Sequence, residues 1–313
     1  MSPAPKHLII TGPTAGGKGS LATEMARRLD GEIVSVDSMK IYRRMDVGTA
    51  KPSVQRRAGV RYHLLDIVDP WESFSVGDYL PRAMDAIRDI ESRKKTVILQ
   101  GGTALYLKAL TQGLFVGPDA DWDLRRELES RARDLGLETL YDELVRLDPD
   151  RAREVYPQDQ RRIIRALEVI RRTGSRMSDL WREDSAKLEE GSYLCFGIDW
   201  PRSRLYERID TRVEKMVLEG IFEETRELLA DPRGLSRAAA KCLGYRQIVE
   251  GLMANEPRQE TVARIQRDTR RFAKQQLTWF RRFPIRWLEV EDVALVADRI
   301  ERVLRGETDD HSE

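Results

Sequence analysis

Residues 12–21 read GPTAGGKGSL. They lie between a short aliphatic run, HLIIT, and an amphipathic stretch, SLATEMARRL. No other feature constrains the fold as tightly. A glycine-bearing turn that leaves a buried strand and opens a helix implies a sheet covered by helices. Gly12, Gly17 and Lys18 fit the phosphate-loop pattern G-x-x-x-x-G-K-[ST], but its final hydroxyl position is Gly19. In such a turn Gly12, Pro13, Thr14, Ala15, Gly16, Gly17, Lys18, Gly19 and Ser20 form the cradle. Its backbone N–H groups and the positive end of the helix dipole hold phosphate oxygens, and Lys18 reaches the outer phosphates. A plain tight turn with an exposed lysine is the simpler reading. The strand before and the helix after argue against it.

Two further runs, EIVSVDS and TVILQGGT, are aliphatic, end in polar or glycine-bearing tips, and lead into helical patterns. Near-continuous apolar strands alternating with helices predict an α/β fold with a parallel sheet flanked by helices. The strand tips at 12–20, Asp37–Ser38 and Gly101–Thr103 should then converge at the carboxyl edge of the sheet. From about 117 to 191 the chain is charged and helix-periodic with almost no strand signal, as expected of a helical insert. YLCFGIDWP (193–201) returns to the sheet, 204–283 is helical, and IRWLEV (285–290) is a last strand followed by a short helix. The expected organisation is a core in two parts, 1–116 and 192–305, an insert at 117–191, and a polar, frayed tail at 306–313.

With 313 residues, 41% of them hydrophobic, the chain can bury a full core. Lys plus Arg number 54 and Asp plus Glu 53, so any nucleic-acid role must rest on a local basic face. Two distant cysteines and three histidines suggest neither a disulfide scaffold nor a zinc site. The N-terminal apolar run is too short for a signal peptide and reads as a strand. No run approaches the ~18 apolar residues of a membrane span, and the expected location is the cytoplasm.

Four other segments could carry chemistry. Asp37 in DSMKIY and Thr103 in GGTALY each sit at a strand tip, where a turn-starting aspartate or a helix N-cap is the simpler explanation. In DQRRIIRALEVIRRTG, Arg161, Arg162 and Arg165 share one helix face, which is also what a solvated charged face looks like. Residues 264–283 hold seven basic residues and one acid, Asp268. Arg264, Arg267, Arg271 and Lys274 follow helical spacing among Phe272, Trp279, Phe280 and Phe283, a stripe suited to phosphate backbones.

Together, GPTAGGKG, DSMKIY, GTAKP, HLLDIVDPWESFS, GGTALY, DQRRIIRALEV, RVEKMVLEGIFEE, CLGYRQ and RRFAKQQLTWFRR resemble the tRNA dimethylallyltransferase (IPP transferase) family over about 7–290. The resemblance implies a P-loop kinase-like fold whose insert grips tRNA. It also implies transfer of a dimethylallyl group from dimethylallyl diphosphate to the exocyclic amine of the adenosine 3′-adjacent to the anticodon. Mg²⁺ is the implied cofactor and the tRNA anticodon loop the implied partner. The implied state is monomeric, with no protein partner and no membrane. By the same resemblance Asp37 matches the general base, Thr103 a hydroxyl near the donor's bridging oxygen, and Lys18 and Arg212 the groups on the diphosphate. The matching tRNA contacts are Asp37, Ser38, Met39, Lys40, Arg161, Arg162, Ile163, Ile164, Arg165, Lys274 and Gln276.

Five positions depart from the family pattern. Gly16 stands for Ser, Gly19 for Ser or Thr, Lys40 for Gln, Ala104 for Gly and Gln275 for Arg. Gly19 removes the hydroxyl that usually ligates Mg²⁺, and Ser20, about 100° further round a helix, is no simple substitute. The metal ligands are therefore left open. Alternatives are a divergent paralogue with altered or lost activity, prenyl transfer to free AMP, an ATP-binding small-molecule kinase, and a non-catalytic tRNA-binding protein.

Overall fold

The computed structural model describes residues 7–57, 59–115, 117–183, 186–289 and 293–307. The aliphatic runs pair as strands because neither face of them can be left in water. β1 (His7–Thr11) and β2 (Gly31–Val36) are buried at every residue, and β4 (Thr96–Gly101) at all but its first. With β3 (Tyr62–His63), β5 (Tyr193–Asp199) and β6 (Arg286–Glu289) they form one parallel sheet in the order β3-β2-β4-β1-β5-β6. The α/β class read from the sequence is the observed one. β3 is an addition: two partly buried residues register with Ile33 and Val34 at the sheet edge. Val290, the expected end of the last strand, and residues 308–313 of the tail lie outside the described residues.

Helix α1 (Lys18–Arg28) covers one face of the sheet. Its Leu21, Ala22, Met25 and Ala26 pack with Leu8, Ile10, Ile33, Ile98 and Phe196 of the strands and with Val296, Ala297 and Ile300 of the helix Val293–Leu304. Beneath the strand tips the backbones of β2 and β4 come unusually close. A Cβ on Gly101 would lie 1.9 Å from the Val36 carbonyl oxygen. The Thr103 N–H donates to that same oxygen at 3.2 Å, so the chain leaving β4 is tied to the end of β2.

This unit comprises the chain up to Thr111 and from Leu188 onward. Its two sides meet where the interruption begins and ends: Leu188 N–H donates to the Leu110 carbonyl at 2.8 Å. Among the described residues no helix is long and apolar enough to cross a membrane.

A second compact unit spans Gln112–Lys187 and is all helical. Its core gathers Leu128, Leu140, Leu144, Ile163, Ile164 and Leu167. Asp121, Asp148 and Asp159 cap its helices by accepting the N–H groups of Leu124, Arg151 and Arg162. Glu168 is fully buried and holds Arg125, Arg165 and the Asp121 N–H together. Burial pushes its carboxyl up, but the hydrogen bonds from both arginines outweigh this and hold it below the usual range.

Candidate active site

The phosphate loop shows how a chain makes a cavity of backbone donors. Ala15 and Gly17 adopt positive φ, 60° and 95°, and α1 begins immediately after. The loop carbonyls are held by donors from elsewhere. Pro13 O accepts from Lys18 Nζ at 2.6 Å, Ala15 O from Arg208 Nε at 3.0 Å, and Gly16 O from Trp200 Nε1 at 2.9 Å. Among the described residues nothing accepts from the N–H groups of Gly17, Lys18, Gly19 or Ser20. Four N–H groups free of protein acceptors at a helix N-terminus suit an anion.

Asp37 and Thr103 stand opposite, at the tips of β2 and β4. Asp37 Oδ1 accepts the Met39 and Lys40 N–H groups at 2.9 and 3.3 Å, which fixes the turn after β2. Thr103 Oγ1 accepts the Ser38 N–H at 3.0 Å, tying that turn to the chain after β4. Arg212 comes from the middle of the helix Arg202–Leu218. All these groups line one cleft of about 1740 Å³.

The cleft is strongly basic in a nearly neutral chain. Eleven Lys and Arg residues line it against four carboxylates, those of Glu24, Asp37, Glu207 and Asp268. Burial, helped by the charges of Arg212 and Lys40, lowers the Lys18 ammonium to about 7. Burial likewise pushes Lys40 and Arg212 below their ordinary values, with Asp37 opposing in both cases. Mutually repelling, desolvated cations are favourable only with an anion among them.

Further expected residues fall into distinct surroundings. Gln276, expected against tRNA, is buried, with both ends of its amide occupied: Oε1 accepts from Thr14 N–H and Nε2 donates to Gly102 O, each at 2.8 Å. It clamps the phosphate loop to the β4 tip. Lys274 is exposed and away from the cleft lining, whereas Arg267, Arg271, Phe272 and Gln275 of the same helix line it. In the helical unit, Ile163 and Ile164 are core residues, and Arg165 is tied to Glu168 and to Pro118 O. Only Arg161 and Arg162 of that group present exposed side chains.

Sequence reasoning missed several supports. Glu224 gathers the N–H groups of Asp46, Val47 and Gly48, and Tyr245 Oη donates to it at 2.5 Å, so it shapes the 46–50 loop at the cleft wall. The Tyr245 ring would lie 2.3 Å from a Cβ on Gly48. Arg208, stacked 4.4 Å over Trp200, was equally silent. These pairings cross 21 to about 200 residues of sequence, and no local pattern announces them.

A hard divalent cation requires oxygen ligands. Gly19 offers none, Ser20 is exposed, and among the described residues no three His, Cys, Asp or Glu side chains form a metal-holding group. Of the carboxylates that line the cleft, Asp37 lies at a strand tip among Lys18, Lys40 and Arg212. With no hydroxyl at Gly19, the loop offers a magnesium ion few ligands of its own, and such an ion would take most of them from phosphate and water.

A sequence model described as IPP transferase matches residues 40–283. The chain is 46% identical over 286 residues to tRNA dimethylallyltransferase 1 of Pelobacter propionicus, covering 91% of this chain and 93% of that protein. It is 45% identical over 285 residues to the tRNA dimethylallyltransferase of Geobacter metallireducens, covering 90% and 92%. The crystal structure of the full-length tRNA isopentenylpyrophosphate transferase from Bacillus halodurans is similar at a TM-score of 0.70 and 36% identity, covering 96% of this chain and 97% of that one. A eukaryotic dimethylallyltransferase acting on tRNA shares the fold at a TM-score of 0.78 and 24% identity, with 98% and 81% covered. The phosphate loop, the strand-tip aspartate and the extent of these matches lead to one conclusion: the chain belongs to the IPP transferase family, the tRNA dimethylallyltransferases.

Proposed function

We propose that this protein transfers the dimethylallyl group of dimethylallyl diphosphate to the exocyclic amine of an adenosine beside the anticodon of tRNA, in the cytoplasm. The observation that carries this reading is the sharing of one cleft by a cradle of backbone donors and a fixed carboxylate. The cradle is the set of orphan N–H groups at Gly17–Ser20 with Lys18 and Arg212; the carboxylate is Asp37.

The chemistry follows from that arrangement. The donor's diphosphate lies on the loop N–H groups. As the allylic C–O bond breaks, its electron pair goes to the diphosphate, whose growing charge Lys18 and Arg212 stabilise. The adenine amine forms the new N–C bond, and Asp37 takes the proton it loses. Thr103 Oγ1 accepts from Ser38 N–H and donates to Ser38 Oγ at 3.3 Å; turning that proton toward the leaving oxygen would let it assist departure. A base inside a structured loop must be extruded to reach Asp37. Arg267, Arg271 and Phe272, which line the cleft, supply cations and an aromatic for RNA backbone and bases. Resemblance to the family adds Mg²⁺, whose charge would assist departure of the diphosphate.

The test is direct. Incubating the protein with dimethylallyl diphosphate and an unmodified tRNA carrying adenosines at positions 36 to 38 should add one five-carbon unit to a single adenosine, read by mass spectrometry of the digested RNA. Asp37→Ala should abolish the product while leaving tRNA binding in place. Binding of tRNA without product from the native protein would sink the reading.

A further inference from the structure

The cleft contains a cation that the mechanism above does not use. Lys40 ends the turn that carries Asp37, and its backbone is fixed at both ends: its N–H donates to Asp37 Oδ1 at 3.3 Å, and its carbonyl accepts from Asp66 N–H at 3.3 Å. The side chain is partly buried and lines the cleft with Lys18, Gly19 and Arg212. Among the described residues no carboxylate lies within 4.0 Å of its ammonium, and that ammonium donates no hydrogen bond. Lys51 makes the contrast. It too is withdrawn from water, and its ammonium has three oxygens: Tyr42 O at 2.7 Å, Asp46 at 2.5 Å and Asp66 at 2.6 Å. A lysine that merely props a loop is satisfied in this way. Lys40 is held in place with no bonded oxygen, near Lys18 and Arg212, and the charge of Asp37 alone favours its ammonium.

Position 19 supplies the second half of the argument. A Cβ built on Gly19 meets nothing within 4 Å, so packing does not forbid a hydroxyl side chain there. The loop simply lacks the group that would carry a metal ion to the phosphates, while an unpaired ammonium enters the same cleft from the opposite turn. An ammonium is a compact charge with three donors, able to meet oxygens of two phosphates at once.

We propose that Lys40 contacts the diphosphate directly and supplies there the positive charge that a loop-bound magnesium ion would otherwise provide, so that this cleft holds diphosphate without a protein-ligated metal. The inference rests on the reading of the cleft as a diphosphate site. It does not depend on which group is transferred or to what.

Titration calorimetry of inorganic pyrophosphate into the intact protein, once in EDTA and once in magnesium, tests it. The native protein should bind in both, with affinities within about threefold of each other. Lys40→Gln should lose about tenfold or more in EDTA, and Lys40→Arg should retain most of the affinity. In the double variant Gly19→Thr, Lys40→Gln, magnesium should restore binding that EDTA removes. Melting curves matched to the native protein confirm that each variant folds. Native binding that disappears in EDTA overturns the proposal. So does a Lys40→Gln variant that binds pyrophosphate normally, and a loss of tRNA affinity instead would assign Lys40 to RNA. Pyrophosphate binding that follows the expected pattern in a protein that transfers no prenyl group would overturn the reading of function and leave this inference standing.

Discussion

Thr14 and Gln276 stand 262 residues apart in sequence and are joined by a 2.8 Å hydrogen bond from the Thr14 N–H to Gln276 Oε1. The same amide donates to Gly102 O, so one side chain sets the spacing between the glycine-rich loop and the β4 tip. Gln276→Ala should leave the fold intact and raise the KM for the diphosphate donor by about tenfold, the worth of a buried hydrogen bond to the loop. Gln276→Glu keeps the acceptor but loses the donor to Gly102 and places a negative charge beside the cradle. It should be the worse variant. Steady-state kinetics with varied donor, alongside melting curves, distinguish this from a direct RNA contact, which would raise the KM for tRNA instead.

The lowered ammonium of Lys18, at about 7, predicts a pH signature. Between that value and the ordinary lysine value near 10.5, the folded protein without ligand lacks a proton that the unfolded chain carries. Stability from this group therefore rises with pH across that window and is lowest below 7. The native protein should gain melting temperature relative to Lys18→Met as pH climbs from 7 to 9. Diphosphate reverses the preference, because it favours charged Lys18. Pyrophosphate binding at pH 8 should take up a proton, visible as a dependence of the calorimetric heat on buffer ionisation enthalpy, and should weaken as pH rises. No proton uptake would mean that Lys18 stays charged in the free protein.

Glu32, buried in β2, accepts from Nη1 and Nη2 of Arg93 and lies 2.7 Å from His63 Nε2. The hydrogen bond from Arg93 leads the effects that hold its carboxyl at about 2. Its contribution is full above the unfolded value of 4.5 and is lost as pH falls from there toward 2. Glu32→Gln leaves Arg93 underpaired and should destabilise by about 2–4 kcal/mol at neutral pH. It should also flatten the acid limb of the stability profile, measured by urea unfolding between pH 3 and 7.

Gly101 and Gly19 make a paired test of backbone proximity. Alanine at 101 would drive its Cβ into Val36, part the tips of β2 and β4, and separate Asp37 from Thr103. Overpacking of this kind costs about 1–3 kcal/mol or more, and turnover should fall well beyond what that loss explains. Alanine at 19 meets open space and should leave the melting temperature within a degree or two of native.

The sheet was legible because its strands are buried on both faces and so spell unbroken aliphatic runs. The two-residue β3 escaped, since Tyr62 and His63 are an edge pair with no run to spell. The phosphate loop was legible for a related reason: a tight turn and a helix start are local events with local residue requirements. The two hydrogen bonds of Gln276 were not legible, because a glutamine's partners depend on what tertiary packing brings to it. Ile163 and Ile164 were carried along with their arginine neighbours, yet the periodicity that makes that helix amphipathic turns them into the core. The unpaired state of Lys40 was invisible in sequence, where only a departure from the family's glutamine could be seen.

The Leu110–Leu188 hydrogen bond has an evolutionary consequence. The chain leaves the parallel-sheet core and returns to it through adjacent residues of one backbone contact. An excursion whose ends already touch can be lengthened, shortened or exchanged without asking the sheet to rearrange. Replacing residues 112–187 with a short glycine-serine bridge should give a minimal protein that still folds and binds pyrophosphate. Changes in that excisable stretch of the gene and changes in the sheet unit can then be selected apart from one another.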